Sequence, residues 1–92
     1  MNEVGSTANV CFMTPQKIYC ANAGDCRAIL VKKNGDIVKL SKDHKPFLEE
    51  EMERIKAAGH SVRFNRIDGK LALSRAIGDH TYKNNDKLPA EE

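Results

Sequence analysis

The sequence predicts an α+β fold, with a strand-rich first half followed by one helix and a short return. Three observations carry this. Four apolar runs of strand length, separated by turn residues, fill the first 40 positions. One amphipathic run, about 48–58, has helical spacing and ends at Gly59. Aromatic residues are only 5% of the 92 and tryptophan is absent, so a sandwich core built from this chain alone is lightly filled. The last point hints at a piece of something larger.

The first run, Val4 to Thr14, alternates loosely through Val10 and Phe12 and stops at Pro15. Thr14-Pro15-Gln16-Lys17 is a turn. Ile18 to Ala23 and Arg27 to Lys32 are the next two strands, joined by Ala23-Gly24-Asp25. There glycine supplies positive φ and aspartate bonds local backbone. Ala28-Ile29-Leu30-Val31 is continuously apolar, which predicts cover on both faces. Asn34-Gly35 predicts a tight primed hairpin turn into a fourth strand, Ile37 to Leu40. The last three of these strands then form an antiparallel meander.

Ser41 to Pro46 is a loop. In the helix, Leu48, Met52 and Ile55 fall at i, i+4 and i+7, with Ala58 near the same face. Glu49, Glu50 and Glu51 suit the first turn, Arg54 and Lys56 the end, and Glu50 and Arg54 are an i,i+4 pair. A short strand runs from Ser61 to Asn65, and Asp68-Gly69 marks a second hairpin between Ile67 and Leu71. Ser74 is a candidate cap for one helical turn ending at Gly78, which would set Arg75 and Asp79 one turn apart as an ion pair. From Thr81 to Glu92 the chain is polar and reads as extended or loose.

Composition excludes several classes. A net charge of +2, with lysines scattered and no basic stripe interleaved with aromatics, argues against a nucleic-acid binder. No run of 18 apolar residues exists for a membrane span, and no signal-peptide pattern opens the chain, so a cytoplasmic location is the default. The three cysteines, Cys11, Cys20 and Cys26, match no zinc spacing and read as small buried hydrophobes. His44, His60 and His80 share no helix face and form no metal-binding motif, so each reads as a loop residue or a satisfied core histidine. No serine lies in a nucleophile elbow, and there is no glycine-rich phosphate loop.

One carboxylate stands out. Asp25, at a strand-to-strand turn, has the position from which an oxygen projects toward a hard cation such as Mg²⁺ or Mn²⁺. Arg27 beside it is a partner for that carboxylate or for a phosphate. Turn chemistry alone favours the plainer reading, in which Asp25 only satisfies local N–H groups. A hydrolytic metal site needs several carboxylates, and one aspartate does not make it.

Taken together, Gly5-Ser6-Thr7-Ala8, Ala21-Asn22-Ala23-Gly24-Asp25-Cys26-Arg27, Leu40-Ser41-Lys42-Asp43-His44-Lys45-Pro46, Glu53-Arg54-Ile55 with Ala58-Gly59, and Leu71-Ala72-Leu73-Ser74-Arg75-Ala76-Ile77-Gly78-Asp79 with Tyr82-Lys83 form an ordered set. In that order and spacing the chain resembles the metal-dependent protein serine/threonine phosphatases of type 2C, the PPM family, from about Gly5 to Lys83. The resemblance implies the central part of that fold, a partial β-sandwich flanked by helices. It implies sandwich strands in 1–45, a flap-like helix and hairpin in 46–70, and a return segment with tail in 71–92. It implies Mg²⁺ or Mn²⁺ as cofactor, water as the attacking group and phosphoserine or phosphothreonine in a phosphoprotein as substrate.

Asp25 takes the position of the family's Gly-Asp-Ser-Arg aspartate, which lies at the metal centre with an additional, weaker cation. The chain has Cys26 where the family usually has serine, and His60 where glycine is common. The family's other metal ligands and its phosphate-binding arginine would precede Gly5 or follow Glu92. The resemblance therefore gives no catalytic residue in this chain and one metal carboxylate, Asp25. It implies a chain inactive alone, whose exposed sheet edges a protein partner would cover. The alternative is a truncated, non-catalytic chain that serves as a binding or structural piece of a larger assembly.

Overall fold

The computed structural model describes residues 3–85 and 88–89. In chain order it contains β1 (Gly5–Ser6), β2 (Ala8–Met13), β3 (Ile18–Ala23), β4 (Ile29–Val31), β5 (Ile37–Lys39), α1 (Glu49–Ala57), β6 (Val62–Arg63), β7 (Arg66–Ile67), β8 (Ile77–Gly78) and a 3₁₀ turn, η1 (His80–Tyr82). Among the described residues the strands make four separate two-stranded sheets, each antiparallel: β2 with β3, β4 with β5, β6 with β7, and β1 with β8.

The expected meander is therefore corrected. β3 does not pair with β4, because Gly24 to Ala28 carries the chain out of the β2–β3 ladder. The first strand is also two pieces, interrupted at Thr7. The β2–β3 hairpin forms as its turn residues predict. The Thr14 N–H donates to the Lys17 carbonyl at 2.8 Å, and the Thr14 Oγ1 accepts from the Lys17 N–H at 2.9 Å. The β4–β5 hairpin uses a three-residue loop rather than a two-residue primed turn. Lys32 N–H bonds to the Asp36 carbonyl, and in that loop only Gly35 has positive φ, at 90°. The primed-type turn lies elsewhere: Phe64 and Asn65, between β6 and β7, have φ of 55° and 61°. Asp68-Gly69 then turns the chain back so that Ile67 bridges Leu71.

Helix α1 ends as its glycine predicts. Gly59 has φ 88°, its N–H bonds the Lys56 carbonyl, and the His60 N–H bonds the Ile55 carbonyl. This paired arrangement satisfies two carbonyls that the helix end leaves open. Ile55 is buried at 5% exposure and Ile67 at 6%; Leu48, Met52 and Ala58 are half-buried. The most buried position of the helix is charged: Glu51 is 3% exposed. The Glu50–Arg54 pair does not form. Glu50 bonds Lys42, and Arg54 bonds Glu51.

Ser74 caps no helical turn. The chain bends at Ser74 and runs without regular structure into β8, whose partner is β1 near the start of the chain, with Gly78 opposite Gly5. A side chain at Gly78 would meet the Val4 carbonyl at 2.5 Å, so only glycine admits this approach. Arg75 consequently pairs with Glu51 and not with Asp79. The tail holds η1; residues 86, 87 and 90–92 lie outside the described residues.

The strand faces are open. Val10, Phe12, Met13 and Tyr19 on β2–β3, and Ile29 and Val31 on β4, are exposed. The cover expected on both faces of β4 is absent among the described residues. Nor are the cysteines buried: Cys11 and Cys26 are exposed, Cys20 is half-buried, and all three are free thiols. With no second layer over these strands, side chains that apolar patterning assigns to a core reach the surface.

Candidate functional site: a clasped aspartate turn

The turn Gly24-Asp25 is held by the loop that precedes α1. Gly24 is buried with φ 114°. Its N–H donates to His44 Nδ1 at 3.0 Å, and its carbonyl accepts from the His44 N–H at 2.8 Å. Asn22 Nδ2 reaches both the Gly24 carbonyl at 3.2 Å and the Lys42 carbonyl at 2.9 Å. The His44 carbonyl in turn accepts from the Ser74 N–H at 3.1 Å. Three stretches far apart in sequence thus meet backbone to backbone at one place.

Two ion pairs cross the same junction in opposite senses. Lys45 Nζ lies 2.7 Å from Asp25 Oδ2, and Arg27 bonds both carboxylate oxygens of Asp43, at 3.1 and 2.8 Å. The hydrogen bonds from Arg27 hold the Asp43 carboxyl below the usual carboxylate range. Arg27 is therefore not the partner of Asp25, as adjacency suggested; alternate residues of the turn and of the loop face each other. Cys26 Sγ sits 3.1 Å from Thr7 Oγ1, so the thiol makes a polar contact of the kind a serine hydroxyl would make.

His44 must be neutral at Nδ1 to accept from Gly24. Burial is the first cause that lowers its pKa below 6.5, and the Arg75 charge adds to it. A histidine with a depressed folded pKa stabilises the fold above the unfolded value, and that contribution is lost as pH falls through the folded value. Acidification below about 6.5 is expected to loosen the Gly24 turn first. The protection of the Gly24 amide, taken as its exchange rate relative to that of an open amide at the same pH, should fall there before it does in α1; protection unchanged down to pH 5 would contradict the assignment.

A second cluster braces the junction. Glu51 accepts from Arg75 Nε and Nη2 at 2.9–3.1 Å and from Arg54 Nη2 at 2.9 Å. Arg54 Nη2 also donates to the Ser74 carbonyl at 2.6 Å. Burial pushes the Glu51 carboxyl up, but Arg75, the nearby Ser74 hydroxyl and Arg54 together pull it down to about 2. Sequence reasoning assigned Glu51 only to the helix dipole. Its spacing, three after Leu48 and four before Ile55, was the available sign that it lies on the buried stripe.

Asp25 is one carboxylate with an ammonium group beside it. Among the described residues no group of three or more His, Cys, Asp or Glu side chains could hold a metal ion. A hard divalent cation takes six or more oxygen ligands, of which Asp25 is the one carboxylate at this turn among the described residues. His44 is used in holding the turn, and His60 bonds Asp68 through Nδ1 at 2.7 Å, in line with structural roles for both. No helix among the described residues is long and apolar enough to cross a membrane.

The comparisons with known proteins bear on this junction. A profile described as Protein phosphatase 2C matches residues 1–91. The chain is 51% identical over 88 residues to Protein phosphatase ppm-1.G of Caenorhabditis elegans, covering 96% of this chain and 18% of that protein. It is 51% identical over 88 residues to Protein phosphatase 2C homolog 3 of Schizosaccharomyces pombe, covering 96% and 21%. The crystal structure of a phosphatase from Toxoplasma gondii superposes with a TM-score of 0.74 at 49% identity, covering 78% of this chain and 23% of that one. The chain thus spans about a fifth of the length of these relatives, and its architecture is part of a phosphatase fold. Proteins of this family are generally metal-dependent. On the match along nearly its whole length, the chain belongs to the protein phosphatase 2C family.

Proposed function

We propose that this chain contributes the clasped aspartate turn and the flap to a protein serine/threonine phosphatase domain that hydrolyses phosphoserine and phosphothreonine in phosphoproteins. The observation that carries the reading is the family match over residues 1–91, which includes the Gly24-Asp25 turn and the His44 loop that holds it. In this reading 1–45 supplies sandwich strands, 46–70 the flap and 71–92 the return segment. Mg²⁺ or Mn²⁺ is the cofactor, and Asp25 is this chain's carboxylate at its margin. Lys45 holds Asp25 by the ion pair at 2.7 Å, and His44 holds the turn that carries it. The remaining ligands belong to family segments this chain does not carry. The location is cytoplasmic, and neither nucleic acid nor membrane is a partner.

The test is a phosphatase assay on purified 92-residue chain with a phosphothreonine peptide and millimolar Mg²⁺ or Mn²⁺. No metal-dependent phosphate release is expected from the chain alone. Release is expected from a longer protein that joins this segment to the further family ligands. Turnover by the chain alone would refute the assignment of those ligands to other segments; silence in both would refute the catalytic lineage.

The exposed apolar strand faces favour a second reading, a non-catalytic piece covered by a protein partner. Stoichiometric co-purification of the chain with a protein that protects β2–β4 from exchange, without activity, would select it.

A further inference from the structure

The β2–β3 hairpin places two thiols opposite each other, and no part of the phosphatase reading uses them. Cys11 pairs with Cys20 in its register. The Thr14–Lys17 hydrogen bond closes the turn, and bonded and non-bonded pairs alternate from there along an antiparallel ladder. Counting back through Met13–Ile18 and Phe12–Tyr19 makes Cys11–Cys20 a non-hydrogen-bonded pair. In such pairs side chains lie closest, with Cα atoms about 4.5 Å apart, inside the range a disulfide spans. Asn9 and Asn22, the next non-bonded pair on the same face, already meet side chain to side chain at 3.0 Å.

We propose that Cys11 and Cys20 are a cross-strand dithiol that a hydroperoxide oxidises to a disulfide. Exposed Cys11 is the group the oxidant reaches first, and half-buried Cys20 resolves. Burial raises the Cys20 thiol and contact with Cys11 adds to it, so Cys20 keeps its proton until the second step. In the first step the Cys11 thiolate attacks one peroxide oxygen. An S–O bond forms, the O–O bond breaks, and the departing oxyanion takes a proton to become water or an alcohol. In the second step Cys20 gives up its proton and attacks the Cys11 sulfur. The S–S bond forms, the S–O bond breaks, and hydroxide leaves and is protonated to water. The two thiols lose two electrons and the peroxide gains them.

Cys26 lies beside Thr7 and takes no part. The test is the full 92-residue chain as Cys26→Ser, treated with hydrogen peroxide and digested without reduction. Trypsin cuts after Lys17, between the two cysteines, so the peptides holding Cys11 and Cys20 stay joined only if the disulfide formed. The expected result is that joined species, reversed by dithiothreitol. In a glutathione redox buffer the effective concentration of the pair should be at least about tenfold higher in native buffer than in guanidinium, because the register holds the thiols together. Sulfinic acid without linkage, linkage only between chains, or equal effective concentrations in the two solvents would overturn the proposal. As a second variant, Cys20→Ser should leave Cys11 without an intramolecular partner. Fast Cys11–Cys26 linkage in that variant would also overturn it, and the guanidinium comparison on Cys26→Ser decides should Cys20→Ser fail to fold.

Discussion

Glu51→Ala is expected to lower the stability of the chain by about 3 kcal/mol or more, because it strips a buried carboxylate from two guanidinium groups. Arg75 is 43% exposed on its side chain and can turn to water, which holds the loss toward the lower end of the 3–5 kcal/mol typical of a broken buried pair. Even that is large for 92 residues, where total stability at about 0.05–0.15 kcal/mol per residue is itself small. Urea unfolding of the two proteins, compared by midpoint, measures it, and a shift below a third of the expected value would show the cluster to be incidental. The same group predicts a pH dependence. The folded pKa of Glu51 is about 2, below its ordinary 4.5. Its contribution is therefore complete above pH 4.5 and is lost as pH falls from there toward 2, about 3 kcal/mol in all. In Glu51→Gln that share of the acid slope should be lost, leaving the part that other depressed carboxylates such as Asp43 contribute.

Gly24→Ala is expected to cost about 3 kcal/mol or more through two mechanisms, a sparsely populated backbone conformation and overpacking. The φ of 114° disfavours any Cβ, and the added methyl would sit 2.5 Å from Thr7 Cγ2 and 3.1 Å from the Arg75 carbonyl. Relief requires the turn to move, and moving it breaks the bond from the Gly24 N–H to His44. Two readouts should therefore change together: a lower urea midpoint, and a His44 imidazole that titrates closer to its ordinary range by NMR. Gly35→Ala is the matched control. Its φ is 90°, but nothing lies within 4 Å of the new methyl, so only a conformational cost of about 1 kcal/mol is expected. Equal losses at both glycines would remove the steric part of the argument.

Much of this was legible in the residues. Ile18–Ala23 as a strand, the turn at Pro15, and α1 to within one residue follow from local pattern and turn chemistry, which act over short range. Which strands pair did not follow. Thr7 and Gly24 divert the chain for contacts with Cys26 and His44, and sequence spacing does not show such contacts. The non-helical backbone at Ser74 has the same cause: its N–H goes to the His44 carbonyl rather than into a helical turn. At the site, Asp25 was legible as a carboxylate on a turn, and Arg27 as a partner for it or for a phosphate; the structure pairs Arg27 with Asp43 and Asp25 with Lys45 instead. Neighbours on an irregular turn point apart more often than together, so adjacency was weak guidance. Glu51 was missed because a charge on an apolar stripe is counted as surface until the arginines that neutralise it are known.

The open strand faces have a thermodynamic signature. The chain has a radius of gyration of 15.4 Å, against about 12 Å for a compact domain of its length. Among the described residues the buried large apolar side chains are Ile55, Ile67 and Pro46. The heat-capacity change on unfolding scales with apolar surface newly given to water, and so does the denaturant slope. Phe12, Tyr19, Ile29 and Val31 already face water, so they add little to either quantity. The chain should thus unfold over a broad range, with a heat-capacity step well below the ~1.2 kcal/mol/K usual for about 100 residues. Any surface that lies down on β2–β4 would register in a calorimeter as the restoration of that missing step.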